Sequence, residues 1–150
     1  MMGGHIPWRV VDLQLQALRT VWVSSTRPDG RPHSVPVWFL WEAGDQPGIV
    51  FISPENTQKT RNLATQSWVV VHAGDGDDTY ILEGVAERLT EPVELEALNR
   101  AYMAKYVDPN SGAQASFSAV DIVYRVRIRH VMVWIYGNIG NRTDWYFGNR

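Results

Sequence analysis

Residues 32–63, PHSVPVWFLWEAGDQPGIVFISPENTQKTRNL, contain the pattern from which the rest of the chain can be interpreted. Alternating apolar residues predict a strand, and after a loop GIVFIS predicts a second, buried strand. A polar segment then leads directly into a predicted helix, so hydroxyl, amide and cationic side chains gather at the helix start. The unpaired N–H groups of a first helical turn suit an anion such as phosphate. This stretch therefore predicts an anion-binding loop beside a β-sheet.

The composition is that of an ordinary globular protein. Of the 150 residues, 45% are hydrophobic and 20% are charged, which favours a single domain over residues 1–150. A net charge of −2 gives no electrostatic footprint for nucleic acid. The chain has no cysteine, which excludes disulfides and thiolate chemistry, and no apolar run approaches about 20 residues. We expect a cytoplasmic protein that binds neither nucleic acid nor membrane.

Hydrophobic periodicity predicts six strands and three helices. Helices are predicted near residues 9–19, 56–66 and 91–107, and strands near residues 20–25, 33–41, 48–53, 67–73, 79–89 and 121–137. Thr90 is predicted to cap the third helix, and Asp29-Gly30 to form a hairpin turn. Because most strands are joined by hairpin-length links, the pattern favours a closed or nearly closed β-barrel with peripheral helices.

Two strands carry an irregular feature. Pro36 cannot donate to a β-ladder, so it indicates either an edge strand or a bulge. In the last strand, Tyr124, Val126 and Ile128 alternate with arginines, but the alternation is lost after His130. Both faces of that strand become covered, or the strand bends. The tail from residue 137 is polar with embedded aromatics and adds no strand to the six.

Lys59 is the leading candidate for binding an anion. It lies in the predicted first turn of the second helix, where the helix dipole slightly disfavours a cation. Arg61 and Thr57 share this candidacy, whereas Ser53 could equally well be the residue that ends the preceding strand. The alternative is that Lys59 is a solvated surface lysine, and the residues alone leave both interpretations open.

No catalytic or metal-binding pattern emerges. The four histidines, at positions 5, 33, 72 and 130, are far apart and lack ligand spacing. GDGDD at residues 74–78 crowds three carboxylates together, but Tyr80 stands where an EF-hand loop starting at Asp75 needs its glycine. A tight turn is predicted there instead. We predict no catalytic side chain and no metal, so in an enzyme a cofactor would carry the chemistry.

Four segments together resemble the pyridoxamine 5′-phosphate oxidase-like split β-barrel superfamily: TVWVSSTRPDGRPHSVPVWFLWE (20–42), GIVFISPENTQKTRNL (48–63), WVVVHAGDG (68–76) and YILEGVAE (80–87). The similarity extends over about residues 10–136. Within the superfamily, DGRPH-x-x-PVWF and Q-K-x-R-N-L are most similar to the branch that binds the deazaflavin coenzyme F-420 in place of FMN. The resemblance implies a mainly β fold, a six-stranded antiparallel split barrel with peripheral helices.

The resemblance also implies a partner, a cofactor and its contacts. The chain would form a homodimer, with FMN or coenzyme F-420 in two clefts between the subunits. By matching positions, the backbone of Pro36, Val37 and Trp38 would run along the cofactor ring. Trp134 would reach the cofactor of the neighbouring subunit or line its pocket. The phosphate end would be held by Ser53, Thr57, Gln58, Lys59 and Asn62.

The implied function is that of a flavin- or deazaflavin-dependent oxidoreductase, which transfers hydride between the bound cofactor and a small organic substrate. The alternatives are a non-catalytic protein that binds or carries a flavin or haem, and a purely structural dimeric barrel. Oxidation of vitamin B6 is not implied, because true pyridoxamine phosphate oxidases carry an arginine where this chain has SVPVW. They also have a C-terminal Arg/His arrangement that GNRTDWYF does not reproduce. The substrate and the choice of cofactor stay open.

Overall fold

The structure, a computed structural model, describes residues 5–136 and 142–148. Its elements are α1 (Trp8–Ala17), β1 (Thr20–Thr26), β2 (Pro32–Glu42), β3 (Gly48–Pro54), α2 (Gln58–Thr65), β4 (Trp68–Gly74), β5 (Thr79–Leu89), α3 (Pro92–Lys105), β6 (Asp121–Trp134) and β7 (Thr143–Tyr146). The six predicted strands and three predicted helices are all present close to their predicted positions. In the described ranges, no helix is long and apolar enough to cross a membrane.

Strands β1 to β6 form a closed antiparallel barrel. Neighbouring strands follow the order β3-β2-β1-β4-β5-β6, and β3 also pairs with β6 to close the ring. Closure gathers the inward side chains into one interior, where Phe39, Phe51 and Leu82 have no solvent exposure. The predicted six-stranded antiparallel barrel with peripheral helices is confirmed.

The barrel is split along one edge of β2. All of β2 from Pro32 to Trp38 pairs with β1, whereas only residues 39–42 pair with β3. In the described part of the chain, no strand pairs with the outer edge of residues 32–38. Pro36 lies in this unpaired stretch, where a missing N–H is tolerated. Because the β1–β2 register is continuous, the edge interpretation of Pro36 is the correct one and the bulge interpretation is wrong.

The lost alternation in β6 is caused by a β-bulge. Inward positions are even-numbered up to Ile128 and odd-numbered from Val131 onward. In the ladder with β5, Gly84 lies opposite Ile128 and Glu83 lies opposite His130, so one β6 residue is unmatched. Glycine permits the close approach of the two strands, since a Cβ at Gly84 would lie 2.3 Å from a β6 carbonyl oxygen.

The tail contains a strand that the sequence analysis missed. β7 pairs antiparallel with residues 130–133 of β6, outside the closed ring. Four residues are too few to display the two-residue period by which strands are recognised. The aromatic residues Trp145 and Phe147 pack against Trp8 of α1, with ring centroids 5.2 and 5.1 Å away. The embedded aromatics of the tail therefore help to hold α1 against the barrel.

Helix α3 begins one residue later than predicted. Its N-cap is Glu91 and not Thr90, and the Glu91 carboxylate accepts the backbone N–H groups of Val93 and Glu94. The prediction was wrong because Pro92 occupies the first helical position, which it favours, and this makes Glu91 the residue before the helix. The two predicted turns are present. Gly30 has a φ of 89° in the β1–β2 hairpin.

The apolar stripe of α3 is as predicted and lies on the outside of the barrel. Its tyrosines, Tyr102 and Tyr106, are buried, and together with Leu95 and Leu98 they contribute to a second hydrophobic cluster. In the turn at residues 74–78, the Asp75 carboxylate accepts backbone N–H groups from its own turn. This side chain therefore shapes the hairpin between β4 and β5, as predicted.

Candidate functional site

The start of α2 is built from hydroxyl groups that satisfy one another. Thr57 is the N-cap, and its Oγ1 accepts the Thr60 N–H at 3.4 Å. The Ser53 hydroxyl, fully buried where β3 ends, lies 2.6 Å from Thr57 Oγ1 and 3.3 Å from Thr60 Oγ1. This network fixes the position of the helix start relative to the barrel. The predicted phosphate contacts of Ser53 and Thr57 stay predictions.

Two amides connect α2 to the barrel. Gln58 Nε2 donates to Asn62 Oδ1 at 2.8 Å, and Asn62 Nδ2 donates to Ser25 Oγ of β1 at 2.9 Å. Asn62 is fully buried, so these bonds satisfy polar atoms that have no access to solvent. The Arg61 guanidinium is exposed and donates to the Asn56 carbonyl and to Gln58 Oε1. In this arrangement Gln58 and Asn62 position the helix that carries Lys59.

Lys59 of α2 and His33 of β2 are near enough to interact electrostatically, and we call these two residues the cationic cradle. The Lys59 amine is half-buried and has no hydrogen-bond or ion-pair partner among the described residues, and burial lowers its pKa. Burial, followed by the charges of Arg27 and Lys59, lowers the pKa of His33. His33 Nδ1 is buried and has no hydrogen-bond partner in the described ranges. An anion that reached both groups would pair with the Lys59 charge and with the orphaned His33 Nδ1.

The unpaired edge of β2 leads from this cradle to Trp38. Pro36, Val37 and Trp38 lie on the stretch that lacks a second neighbouring strand. The Trp38 indole is 39% exposed and stacks on Tyr106 with centroids 4.7 Å apart and ring planes at 5°. A flat ligand could therefore meet free backbone groups and an exposed aromatic ring at the same place.

Trp134 lies apart from these residues. It ends β6, and its indole Nε1–H donates to the Gly76 carbonyl at 3.3 Å. β3 pairs with residues 121–127 of β6, with Ser53 opposite Ile122, whereas Trp134 lies at the other end of β6, opposite Thr79 of β5. The structure thus brings Lys59, Gln58, Asn62, Ser53 and Thr57 together and leaves Trp134 elsewhere in the same chain.

The outer face of the sheet exposes two further tryptophans. Trp22 lies opposite Pro36 on one side and His72 on the other, and it is 45% exposed. Trp68 is 52% exposed beside a cleft of about 460 Å³. We call Trp22, Pro36, Trp68 and His72 the tryptophan face. Contiguous exposed aromatics of this kind mark interaction surfaces.

Two further histidines, His72 and His130, have structural contacts. His130 Nε2 lies 3.0 Å from Asp144 Oδ2 of β7, and His72 Nε2 lies 3.5 Å from Ser24 Oγ. Both were predicted to be hydrogen-bonded sheet residues, and this is confirmed. His33 was missed as a site residue. The alternation of β2 places His33 on the inward side with Val35 and Val37, and this inward position of a polar residue could have identified it.

A family model described as pyridoxamine 5′-phosphate oxidase matches residues 9–135. The chain belongs to this family. No curated protein sequence matches the chain significantly. The family assignment and the closed barrel agree, because the split barrel deduced from the resemblance is the one that the structure contains.

Three solved structures with the same fold are informative. A conserved hypothetical protein from Mycobacterium tuberculosis is 22% identical, with a TM-score of 0.71, and the match covers 96% of this chain and 93% of that one. An F-420 reductase is 22% identical, with a TM-score of 0.63 and coverage of 80% and 94%. A pyridoxamine 5′-phosphate oxidase-related, FMN-binding protein from Nostoc punctiforme is 11% identical, with a TM-score of 0.59 and coverage of 96% and 98%.

Proposed function

We propose that this protein is a flavin- or deazaflavin-dependent oxidoreductase that transfers hydride between a bound cofactor and a small organic substrate. The observation that carries the proposal is the cationic cradle. A half-buried lysine with no partner in the described chain lies beside a histidine with an orphaned Nδ1. Groups left unsatisfied in this way are characteristic of a binding site for an anion.

The residues fit the phosphate of such a cofactor. Because the hydroxyls of Ser53, Thr57 and Thr60 already bond to one another, the open polar groups are the Lys59 amine and His33 Nδ1, which donates in one of the two neutral tautomers. A phosphate oxygen accepts strongly from an ammonium group in a partly buried setting. Lys59 and His33 would hold the phosphate, while Ser53 and Thr57 would keep the helix start in place around it.

The spacing along β2 fits the rest of the cofactor. Pro36 and Trp38 are three and five residues beyond His33, which in a strand corresponds to roughly 10–17 Å. FMN and coenzyme F-420 both carry a phosphate that a flexible sugar-alcohol chain separates from a flat ring. When bound, the ring supplies the hydride-transfer chemistry. The chain's own contribution is to hold the phosphate, to present the free β2 edge to the ring, and to exclude water.

We favour coenzyme F-420 over FMN, since the DGRPH-x-x-PVWF and Q-K-x-R-N-L segments resemble the F-420-binding branch. The similar structures include both an F-420 reductase and an FMN-binding protein, which supports a flavin-type cofactor of either kind. Oxidation of vitamin B6 is not proposed, because the characteristic arginine is missing from SVPVW.

We further propose that two copies of the chain pair through the tryptophan face. Trp22 and Trp68 expose large apolar surfaces there, and such surfaces become buried in homodimers. Trp134 lies at the opposite end of β6 from Ile122, which pairs with Ser53, so in one chain it does not share a site with Lys59. In a dimer the partner's copy could line the same cleft. Each cofactor would then be bound by residues of both subunits.

Titration of the purified, cofactor-free protein with FMN and with coenzyme F-420, followed by absorbance and fluorescence, tests the proposal. The wild type should bind one of them at micromolar concentration. Lys59→Gln should weaken binding by about 1.5–3 kcal/mol, the range for a hydrogen bond to a charged group. Arg100→Gln is the matched control, because Arg100 is exposed on α3 and paired with Glu96.

Two results would contradict the proposal. One is that neither cofactor binds at micromolar concentration, and the other is that Lys59→Gln and Arg100→Gln bind it equally well. Binding without any turnover of reduced cofactor, across a panel of enones and quinones, would instead identify a non-catalytic carrier of the same cofactor.

A further inference from the structure

A second cleft lies beyond the point where the β1–β2 ladder ends. Its volume is about 260 Å³, and it is lined by Arg19, Trp38, Tyr106, residues 107–109 and residues 113–115. The ladder ends at the pair Thr20↔Trp38, so β1 no longer covers β2 from there on. The loop after α3 forms the opposite wall. This cleft shares Trp38 with the unpaired β2 edge but contains none of the cradle residues.

One wall of the cleft is a rigid aromatic shelf. Trp38 and Tyr106 stack nearly parallel, at 4.7 Å between centroids. The Tyr106 hydroxyl is held by three backbone groups, because it accepts the Phe39 N–H at 2.7 Å and lies within 2.8 Å of the carbonyl oxygens of Arg19 and Phe39. A shelf that is fixed before a ligand arrives costs little conformational entropy on binding and favours a flat molecule.

The cleft also contains a cation that forms no ion pair with the described residues. The Arg19 guanidinium carbon lies 4.8 Å from the Trp38 ring centroid and 5.4 Å from that of Tyr106. Arg19 is exposed, and none of the carboxylates in the described ranges forms an ion pair with it. The lining acid, Asp108, instead accepts the N–H groups of Asn110 and Ser111, and these bonds lower its pKa.

We propose that this cleft binds a planar aromatic carboxylate, with its ring on the exposed Trp38 indole, which the buried Tyr106 ring supports, and its carboxylate paired with Arg19. A guanidinium can bind a carboxylate through two parallel hydrogen bonds, which also fixes the orientation of the ring. That this carboxylate is the substrate rests on the proposed function, because Trp38 would then lie between the cofactor ring and the cleft. Binding of the carboxylate does not depend on a cofactor.

Calorimetric titration of the cofactor-free protein with cinnamate and with cinnamamide tests the assignment. The two molecules have nearly the same shape, and only cinnamate carries a charge. We expect cinnamate to bind about tenfold more tightly than cinnamamide, as one charge-assisted contact would give. Arg19→Gln should remove this preference and leave cinnamamide affinity unchanged. Trp38→Leu should weaken the binding of both molecules, since it removes the shelf.

Arg9→Gln is the matched control, because Arg9 is also exposed and unpaired in the described chain but lies on α1. It should keep the preference for cinnamate. The proposal is overturned if neither molecule binds the wild type at millimolar concentration, if both bind equally, or if the preference survives Arg19→Gln. The cofactor titrations are separate, and Arg19→Gln should bind cofactor like the wild type. The experiments therefore distinguish a failure of the carboxylate proposal from a failure of the cofactor proposal.

Discussion

Removal of a single hydroxyl, in Tyr106→Phe, tests how α3 is fastened to the barrel. β1 ends at Thr20, so the backbone of Phe39 has no ladder partner on that side. The Tyr106 hydroxyl takes the place of that partner, since it accepts the Phe39 N–H at 2.7 Å in a fully buried setting. Having one proton, it donates to either the Phe39 or the Arg19 carbonyl oxygen at a time.

The magnitude follows from what the substitution leaves behind. A buried N–H without an acceptor costs about 1–3 kcal/mol, and the lost hydrogen bond to a carbonyl adds about 1 kcal/mol. The Phe39 carbonyl still accepts a hydrogen bond from the Lys105 amine at 2.9 Å, so this carbonyl is not left without a partner. We expect Tyr106→Phe to lower the free energy of unfolding by about 2–4 kcal/mol, which for a chain of this length lowers Tm by about 6–12 °C.

Urea unfolding at one fixed protein concentration measures this loss, because the stability of a dimer would depend on concentration. Tyr102→Phe is the matched control. Tyr102 lies one turn earlier on α3, is equally buried, and its hydroxyl has no hydrogen-bond partner in the described ranges. It should lose no more than about 0.5 kcal/mol. Equal losses in the two variants, or a Tyr106→Phe loss below about 0.5 kcal/mol, would refute the reasoning.

Two further predictions concern Lys105 and Trp22. Burial lowers the pKa of Lys105 from 10.5 to about 8, so the folded state releases this proton at lower pH than the unfolded state does. The stability of the wild type relative to Lys105→Met should therefore rise from about pH 8 to pH 10.5, and a difference in urea unfolding that does not change with pH would contradict this. If the proposed dimer forms, Trp22→Lys should give a folded monomer in light scattering, whereas Leu13→Lys, at an exposed site on α1, should keep the mass of the wild type. Equal masses for the two variants would contradict the proposed interface.

The barrel could be predicted because its signals are local. Alternation and the Asp29-Gly30 turn specify strands and hairpins within a few residues of themselves. The bulge opposite Gly84 was visible only as lost alternation, since a single extra residue changes which side chains point inward without any composition signal. β7 depends on its partner strand for its existence, so four residues of sequence could not reveal it.

The candidate site could be predicted only in part, for a similar reason. Lys59 was found because the helix start that carries it is contiguous in sequence. His33 lies on a different strand, and only the packing of α2 against β1 and β3 brings Lys59 within electrostatic reach of it. Arg19 and Tyr106 meet Trp38 through the end of one ladder and the end of a distant helix. Contacts of this kind depend on the topology of the fold, which cannot be deduced from hydrophobic periodicity.

The partners of the other buried cations show how Lys59 differs from them. Arg125 is mostly buried, and the carboxylates of Glu42 and Glu94 lie 2.6 and 3.2 Å from its guanidinium, which raises its pKa. Lys59 is half-buried with no carboxylate in reach among the described residues, and its pKa falls. Lys105 is also half-buried without a carboxylate, but its amine donates to the Phe39 carbonyl at 2.9 Å, whereas Lys59 has no hydrogen-bond partner among the described residues. Because Lys59 lacks both a counter-charge and a hydrogen-bond partner in the described chain, we expect both to come from a ligand.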